Sequence, residues 1–171
     1  MPSIECLTAE RARDLLPELV ALLQDTVASE AAVGFLPPLS EAEARDFWVG
    51  VIAEVERGSR VLLAALEGER VAGAVHLALA TRPNAPHRAE VQKFCVHRDF
   101  RGRGLGTLLM NAVEEAARDA GRSLLVLDTR RGDLAEQLYA RRGYVKAGVI
   151  PGWALNADGT FHDTVFFYKV L

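Results

Sequence analysis

The spacing of apolar residues switches several times along the chain between that of a strand and that of a helix. Residues 3–7 have the length and character of a short strand. Thr8, with Arg11 three residues on, opens a helical stretch in which Leu15, Leu19, Leu22 and Leu23 form one stripe. Pro17 fits only a first turn, so the helix restarts there. Ser40 and Glu43 have the spacing of a capping box. They precede a second stripe of Phe47, Trp48, Val51, Ile52 and Val55, which Gly58 ends.

Strands are predicted over 60–66 and 71–79, joined through Glu67-Gly68-Glu69-Arg70 as a hairpin. Two prolines and an asparagine make 81–87 a loop, and 90–96 is a further strand. Leu105, Leu108, Leu109, Ala112, Val113 and Ala116 trace a helix that stops at Gly121. A buried strand over 124–127, a helix over 134–142 closed by Gly143, and a strand over 144–149 follow. Residues 150–163, with Asn156-Ala157-Asp158-Gly159, read as a loop before a last strand over 164–170. The order β-α-α-β-β-β-α-β-α-β-β predicts an α/β fold: a mixed, twisted central sheet of about seven strands flanked by four helices.

Composition narrows the function. A chain of 171 residues suits one domain over 1–171, and half hydrophobic with a quarter charged residues is that of an ordered globular protein. A net charge of −3 argues against a nucleic-acid partner, which calls for a concentrated cationic face. Basic residues do cluster between Arg98 and Arg103, and again at Arg130, Arg131, Arg141 and Arg142, which suits a small anionic ligand. Cys6 and Cys95 are far apart, and His76, His87, His97 and His162 are scattered, so neither a disulfide framework nor a metal site is expected. Residues 1–10 lack the pattern of a secretory signal, and the apolar run over 72–80 is too short to span a bilayer. A cytoplasmic protein with no membrane partner is the expectation.

The informative junction is Arg101-Gly102-Arg103-Gly104-Leu105-Gly106, between the strand over 90–96 and an amphipathic helix. Glycines let successive amides turn into one concavity, and at a helix start those amides are unpaired and reinforced by the macrodipole. With Arg101 and Arg103 alongside, the loop reads as a phosphate or pyrophosphate cradle. A P-loop would carry Lys-Ser or Lys-Thr after the last glycine, where Thr107-Leu108 stands. A dinucleotide fingerprint would carry its third glycine later.

Arg-x-x-Gly-x-Gly after a strand and before such a helix resembles the acyl-CoA signature of the GNAT acetyltransferase superfamily. Leu125-Val126-Leu127-Asp128-Thr129 resembles that superfamily's next strand, and Ala135 to Tyr139 with Gly143-Tyr144 resembles its following helix. More narrowly, Ala32-Val33-Gly34-Phe35, the segment from Arg88 to Lys93, Leu127-Asp128-Thr129 and Pro151-Gly152 resemble the tabtoxin-resistance branch, which acetylates a small amino-acid toxin. In one departure, Gly132 stands where many members carry an asparagine that contacts the pantetheine arm.

The resemblance implies an acetyl-CoA-dependent N-acetyltransferase working by direct attack in a ternary complex on the amine of a small molecule, such as an amino-acid-like toxin or antibiotic. It implies acetyl-CoA as co-substrate, no metal, and pairing into a homodimer as in many members. The backbone of Phe94, Cys95 and Val96 would meet the pantetheine, and the stretch Arg101, Gly102, Arg103, Gly104, Leu105, Gly106 and Thr107 the pyrophosphate. Glu90 and Asp128 are the implied ammonium-binding and proton-relaying acids, with a water chain as the alternative base. Tyr139 is the implied general acid for the leaving thiolate, because a phenol with a pKa of about 10 arrives protonated. Phe35, Trp48 and Trp153 are candidates for the acceptor pocket but fit core packing better. Cys95 reads as a small buried side chain, with an acyl-cysteine route as the alternative, and His76 as a satisfied core or cleft histidine. Arg130, Arg131 and Arg142 read as solvated charges, with a contact from one of them to the coenzyme's 3′-phosphate as the alternative. A protein or peptide amine acetyltransferase, and an acetyl-CoA-binding regulator without turnover, are the competing readings.

Overall fold

The computed structural model describes residues 2–171. The chain runs β1 (Ser3–Leu7), α1 (Ala9–Asp14), α2 (Leu16–Ala28), α3 (Glu41–Glu56), β2 (Arg60–Glu67), β3 (Arg70–Leu79) and β4 (Arg88–Val96). A short 3-10 turn (Arg98–Phe100) leads into α4 (Leu105–Asp119), β5 (Leu124–Arg130), α5 (Leu134–Arg141), β6 (Val145–Leu155) and β7 (Phe161–Val170). The seven strands form one mixed sheet in the order β1-β2-β3-β4-β5-β7-β6, and every pairing except β4–β5 is antiparallel. This is the α/β architecture expected from the pattern of hydrophobic spacing.

Local signals explain the helices. Thr8 caps α1 by accepting from the Arg11 amide, and Ser40 with Glu43 closes a reciprocal capping box on α3. The first helical stretch is two elements, because Leu15 leaves helical geometry at ψ 4° and Pro17 begins a fresh first turn. On α4, Leu105, Leu109, Met110, Val113 and Ala117 are buried, each large side chain contributing about 1.5–3 kcal/mol by leaving water.

The sheet separates two cores. One, with α1 to α3, contains Leu19, Leu23, Trp48, Ile52, Leu62, Ala74 and Cys95. The other, with α4 and α5, contains Val75, Val91, Leu109, Val113, Leu125, Leu127 and Tyr139. Gly73 sits where β3, β4 and α4 close most tightly: a Cβ there would lie 2.9 Å from the Cys95 carbonyl and 3.0 Å from Leu109.

Two sequence expectations change. The predicted loop over 150–163 is mostly the end of β6 and the start of β7, with Ala154 opposite His162 and Leu155 opposite Phe161. Pro151 is tolerated because β6 is an edge strand, and a register shift between Ile150 and Ala154 absorbs the irregularity. Only 156–160 turn, closed by the Asn156 amide donating to the Thr160 carbonyl at 2.7 Å. Arg142 is not a solvated charge either. It donates to buried Glu114 at 3.1 Å, and Lys169 donates to the other Glu114 oxygen at 2.8 Å.

Candidate active site

A short strand pairing creates the site. β4 and β5 are in register only at Arg88 with Leu124, Ala89 with Leu125 and Glu90 with Val126. β5 then follows β7 as far as Arg130 opposite Thr164, while β4 stays with β3 as far as Val96 opposite Gly73. The strands part beyond Glu90, leaving the β5-facing edge of β4 without a ladder. A cleft of about 570 Å³ fills the gap, with Glu90, Lys93, Phe94, Asp128, Tyr139 and Trp153 in its lining.

β4 also bulges inside this gap. Ala74 faces Cys95 and His76 faces Gln92, so β4 carries one residue more than β3 between those pairs. Lys93 takes the strain at φ 49°, a left-handed conformation uncommon outside glycine. The bulge turns the Lys93 ammonium toward the Phe35 and Phe47 rings, 5.8 and 5.6 Å from its nitrogen.

At the far end of β4 lies the glycine loop. Gly102 and Gly104 adopt φ 74° and 79°, and Gly104 caps α4 with no side-chain hydrogen bond. The Thr107 and Leu108 amides both donate to the Gly104 carbonyl. The five preceding amides, from Gly102 to Gly106, have no protein acceptor among the described residues. No acidic side chain occupies the first turn of α4. Unpaired donors in succession at the positive end of a 15-residue helix are an arrangement that favours an anion. Gly106 also packs closely, because a Cβ there would lie 3.2 Å from the Phe94 ring and the ring would have to shift by a few tenths of an ångström.

The remaining predicted coenzyme residues surround this cradle. Arg101 Nε donates to the Val96 carbonyl at 3.0 Å, which pins the loop to the end of β4. Arg103 stacks over the buried Phe100 ring at 5.3 Å. Thr107 is exposed with its amide already used, so its side chain alone is free to meet a ligand. Cys95 is buried, and desolvation raises its thiol to about 11, so it packs as a small apolar residue and is a poor nucleophile.

The three predicted catalytic side chains converge on the cleft from two faces of the sheet. Ala89 and Val91 enter the α4-side core, so Glu90 between them points to the opposite face. Asp128 follows Leu127 in the same way and accepts from the Thr164 hydroxyl at 2.7 Å, which fixes its orientation. Tyr139 arrives from the α4/α5 side, its ring against Phe94, Tyr144 and Phe167. Burial pushes its phenol well above the usual tyrosine range, so the proton stays on. The hydroxyl has no hydrogen-bond partner among the described residues.

A match to known sequences decides the family. The sequence model of the acetyltransferase (GNAT) family matches residues 22–144. The chain belongs to the GNAT acetyltransferase family. It is 37% identical over 139 residues to the mycothiol acetyltransferase of Acidothermus cellulolyticus, an alignment covering 80% of this chain and 38% of that protein. The chain spans about a third of the length of the curated relatives it matches. Its fold superimposes on the ribosomal-protein-alanine N-acetyltransferase of Brucella melitensis with a TM-score of 0.81 at 23% identity, over 99% of each chain. It also superimposes on yncA of Salmonella typhimurium, solved with its cofactor acetyl-CoA, with a TM-score of 0.79 at 17% identity. That alignment covers all of this chain and 94% of the other.

For a GNAT chain, several surroundings of the site were not legible beforehand. Gly132, at the place of the common asparagine, has φ 87°, and its amide donates to Glu136 at 2.8 Å. Arg130 is no solvated charge: it bridges Asp133 at 3.0 Å and the Glu30 carbonyl at 2.9 Å. Trp48 is wholly buried, as core packing requires, whereas Phe35 and half-exposed Trp153 line the cleft. His76 pairs through Nδ1 with Arg60 at 2.6 Å, and its Nε2 is buried without a partner. Lys93 and His162 also line the cleft and were not singled out. A signal for Lys93 did exist: strict alternation would drive its ammonium into the apolar face with Val91, and only a bulge avoids that cost. Among the described residues no cluster of three potential metal ligands occurs, and no helix is long and apolar enough to cross a membrane.

Proposed function

We propose that this chain transfers the acetyl group of acetyl-CoA to the amine of a small molecule by direct attack in a ternary complex. The observation that carries the reading is the run of five unpartnered amides, Gly102 to Gly106, at the end of a strand that has parted from its neighbour. In this reading the amides and the start of α4 take the pyrophosphate, with Arg101, Arg103 and the Thr107 side chain at its rim. The free edge of β4 at Phe94, Cys95 and Val96 meets the pantetheine as an added strand would. Acetyl-CoA supplies the activated thioester.

The side chains supply the rest. Glu90 and Asp128 bind the acceptor's ammonium and pass one proton toward solvent, which frees the nitrogen lone pair. The nitrogen attacks the thioester carbonyl carbon and the carbon–sulfur bond breaks. Tyr139 gives its proton to the departing thiolate as general acid, and the second amine proton, released as the amide forms, is matched by the one that restores the phenol. An acceptor resembling an amino acid, as in the tabtoxin-resistance branch, suits a cleft that holds both acids and a lysine.

Two measurements test this reading. Coenzyme A should raise the melting temperature, and acetyl-CoA should release free thiol with some member of a panel of small amines and peptides. Gly104→Ala places a Cβ at φ 79°, which costs about 1–2 kcal/mol in left-handed geometry and should weaken coenzyme binding about tenfold. No stabilisation by coenzyme A, and equal affinity in the variant, would remove the cradle and the transferase with it.

A further inference from the structure

Lys93 is an unusual occupant of the cleft wall. Its side chain is half-buried under the loop that carries Gly34 and Phe35, and a Cβ on Gly34 would lie 3.2 Å from its nitrogen. Among the described residues, no carboxylate lies within ion-pair distance of the ammonium, and no acceptor takes a hydrogen bond from it. The other half-buried cations nearby are all satisfied: Arg60 by Glu54 and Gln92, and Arg130 by Asp133 and the Glu30 carbonyl. A desolvated ammonium with three unused donors is costly, and two aromatic faces offset only part of that cost.

The chemistry that completes such a group is a small oxyanion. We infer that Lys93 is the anchor for a carboxylate on the acceptor, so that the substrate is an amino acid or a close analogue bearing its carboxylate near the reacting amine. The inference rests on the transferase reading of the same cleft. Glu90 and Asp128, on the same face of the sheet, attract the ammonium end, while Lys93 under the Phe35 loop attracts the carboxylate end. The two charges of a zwitterion are thereby held apart along the cleft, with the amine toward Tyr139 and the coenzyme. Burial lowers the Lys93 pKa, and an incoming carboxylate would reverse that shift. Phe35 and Trp153 in the cleft lining leave apolar surface for a side chain.

The test uses matched pairs: each proteinogenic L-amino acid against its decarboxylated amine, for example L-lysine with cadaverine and L-phenylalanine with phenethylamine. Binding is read as a thermal shift and by calorimetry in the presence of coenzyme A, and turnover as thiol release. We expect at least one amino acid to bind about 10- to 100-fold more tightly than its amine, the range of a charge-assisted contact. Lys93→Met keeps the aliphatic packing and should shrink that preference about tenfold or more, and Lys93→Arg should restore part of it. A panel in which no amino acid outbinds its amine overturns the assignment, as does an undiminished preference in Lys93→Met. Failure of coenzyme A to bind sinks the transferase reading instead, and the two failures are read in separate titrations.

Discussion

Replacing Tyr139 with phenylalanine separates chemistry from packing at the centre of the cleft. The ring is held by Phe94, Tyr144 and Phe167, with centroids 6.3, 5.7 and 6.0 Å away, and phenylalanine preserves all three contacts. The hydroxyl makes no protein hydrogen bond among the described residues, so its removal orphans no donor or acceptor. The stability change should therefore stay within about 0.5 kcal/mol, which for a chain of this length is a melting shift of about 2 °C or less. In the proposed mechanism the same atom is the proton-bearing group at the leaving sulfur, and loss of a general acid lowers a rate by about 10²- to 10⁴-fold.

The assay is steady-state thiol release at saturating acceptor, with coenzyme affinity measured separately by calorimetry. We expect kcat to fall at least about 100-fold, equivalent to about 2.7 kcal/mol of barrier, with the coenzyme Kd within twofold. A kcat within twofold of the parent would refute the acid role. A melting temperature lowered by more than about 5 °C would show that the hydroxyl serves the fold.

Two further expectations concern stability. Burial raises the Cys95 thiol from 9.0 to about 11 and lifts Tyr139 and Tyr144 above 10.0, so above pH 9–10 the unfolded chain releases protons that the native chain keeps. Stability is then full below those unfolded values and falls as pH rises, by up to about 1.4 kcal/mol per pH unit for each group. Buried His76 is shifted well below 6.5, chiefly by desolvation, so its contribution is present above that value and lost as pH falls below it. Urea unfolding between pH 5 and 11 should trace a plateau with two falling limbs, and Cys95→Ala should flatten the alkaline one; a flat profile contradicts the burial argument. Glu114→Ala leaves Arg142 and Lys169 without their shared carboxylate, and we expect a loss of about 3–5 kcal/mol in urea titration. A loss below 1 kcal/mol would mean that those cations find other partners.

Much of this arrangement could be read from residue order because the decisive signals are local. Glycines at 102, 104 and 106 ahead of the Leu105–Leu109–Val113 stripe fix a turn, a helix start and a set of free amides within one short segment. The capping box at Ser40 and the turn before Arg70 are local in the same sense. What escaped depends on contacts between distant segments. The β6–β7 hairpin was hidden because Pro151 and Gly152 resemble a loop until β6 is known to be an edge strand. Arg142 looked solvated because Glu114 and Lys169, which bury it, lie on α4 and β7. The bulge at Lys93 had one local signal, a lysine at an apolar alternation position, but its place is defined only against the register of β3.

Under the proposed function, the same reasoning gives a physical ground for chemistry at the parting of β4 and β5. An intact sheet would separate Glu90 and Asp128 on the α3 face from Tyr139 on the α5 face, with the ladder as a wall between them. Acyl transfer needs a proton removed from the amine and one supplied to the sulfur, so groups from both faces must reach a single reacting centre. Ending the parallel ladder at Glu90 opposite Val126 opens that wall and leaves β4 with an unused edge for an extended ligand. β5 does not lose its own order, because the β7 pairing continues to Arg130 and the Thr164 hydroxyl holds Asp128. The proposed catalytic geometry therefore rests on hydrogen bonds that the sheet does not make, and β7 supplies the rigidity that β4 has given up.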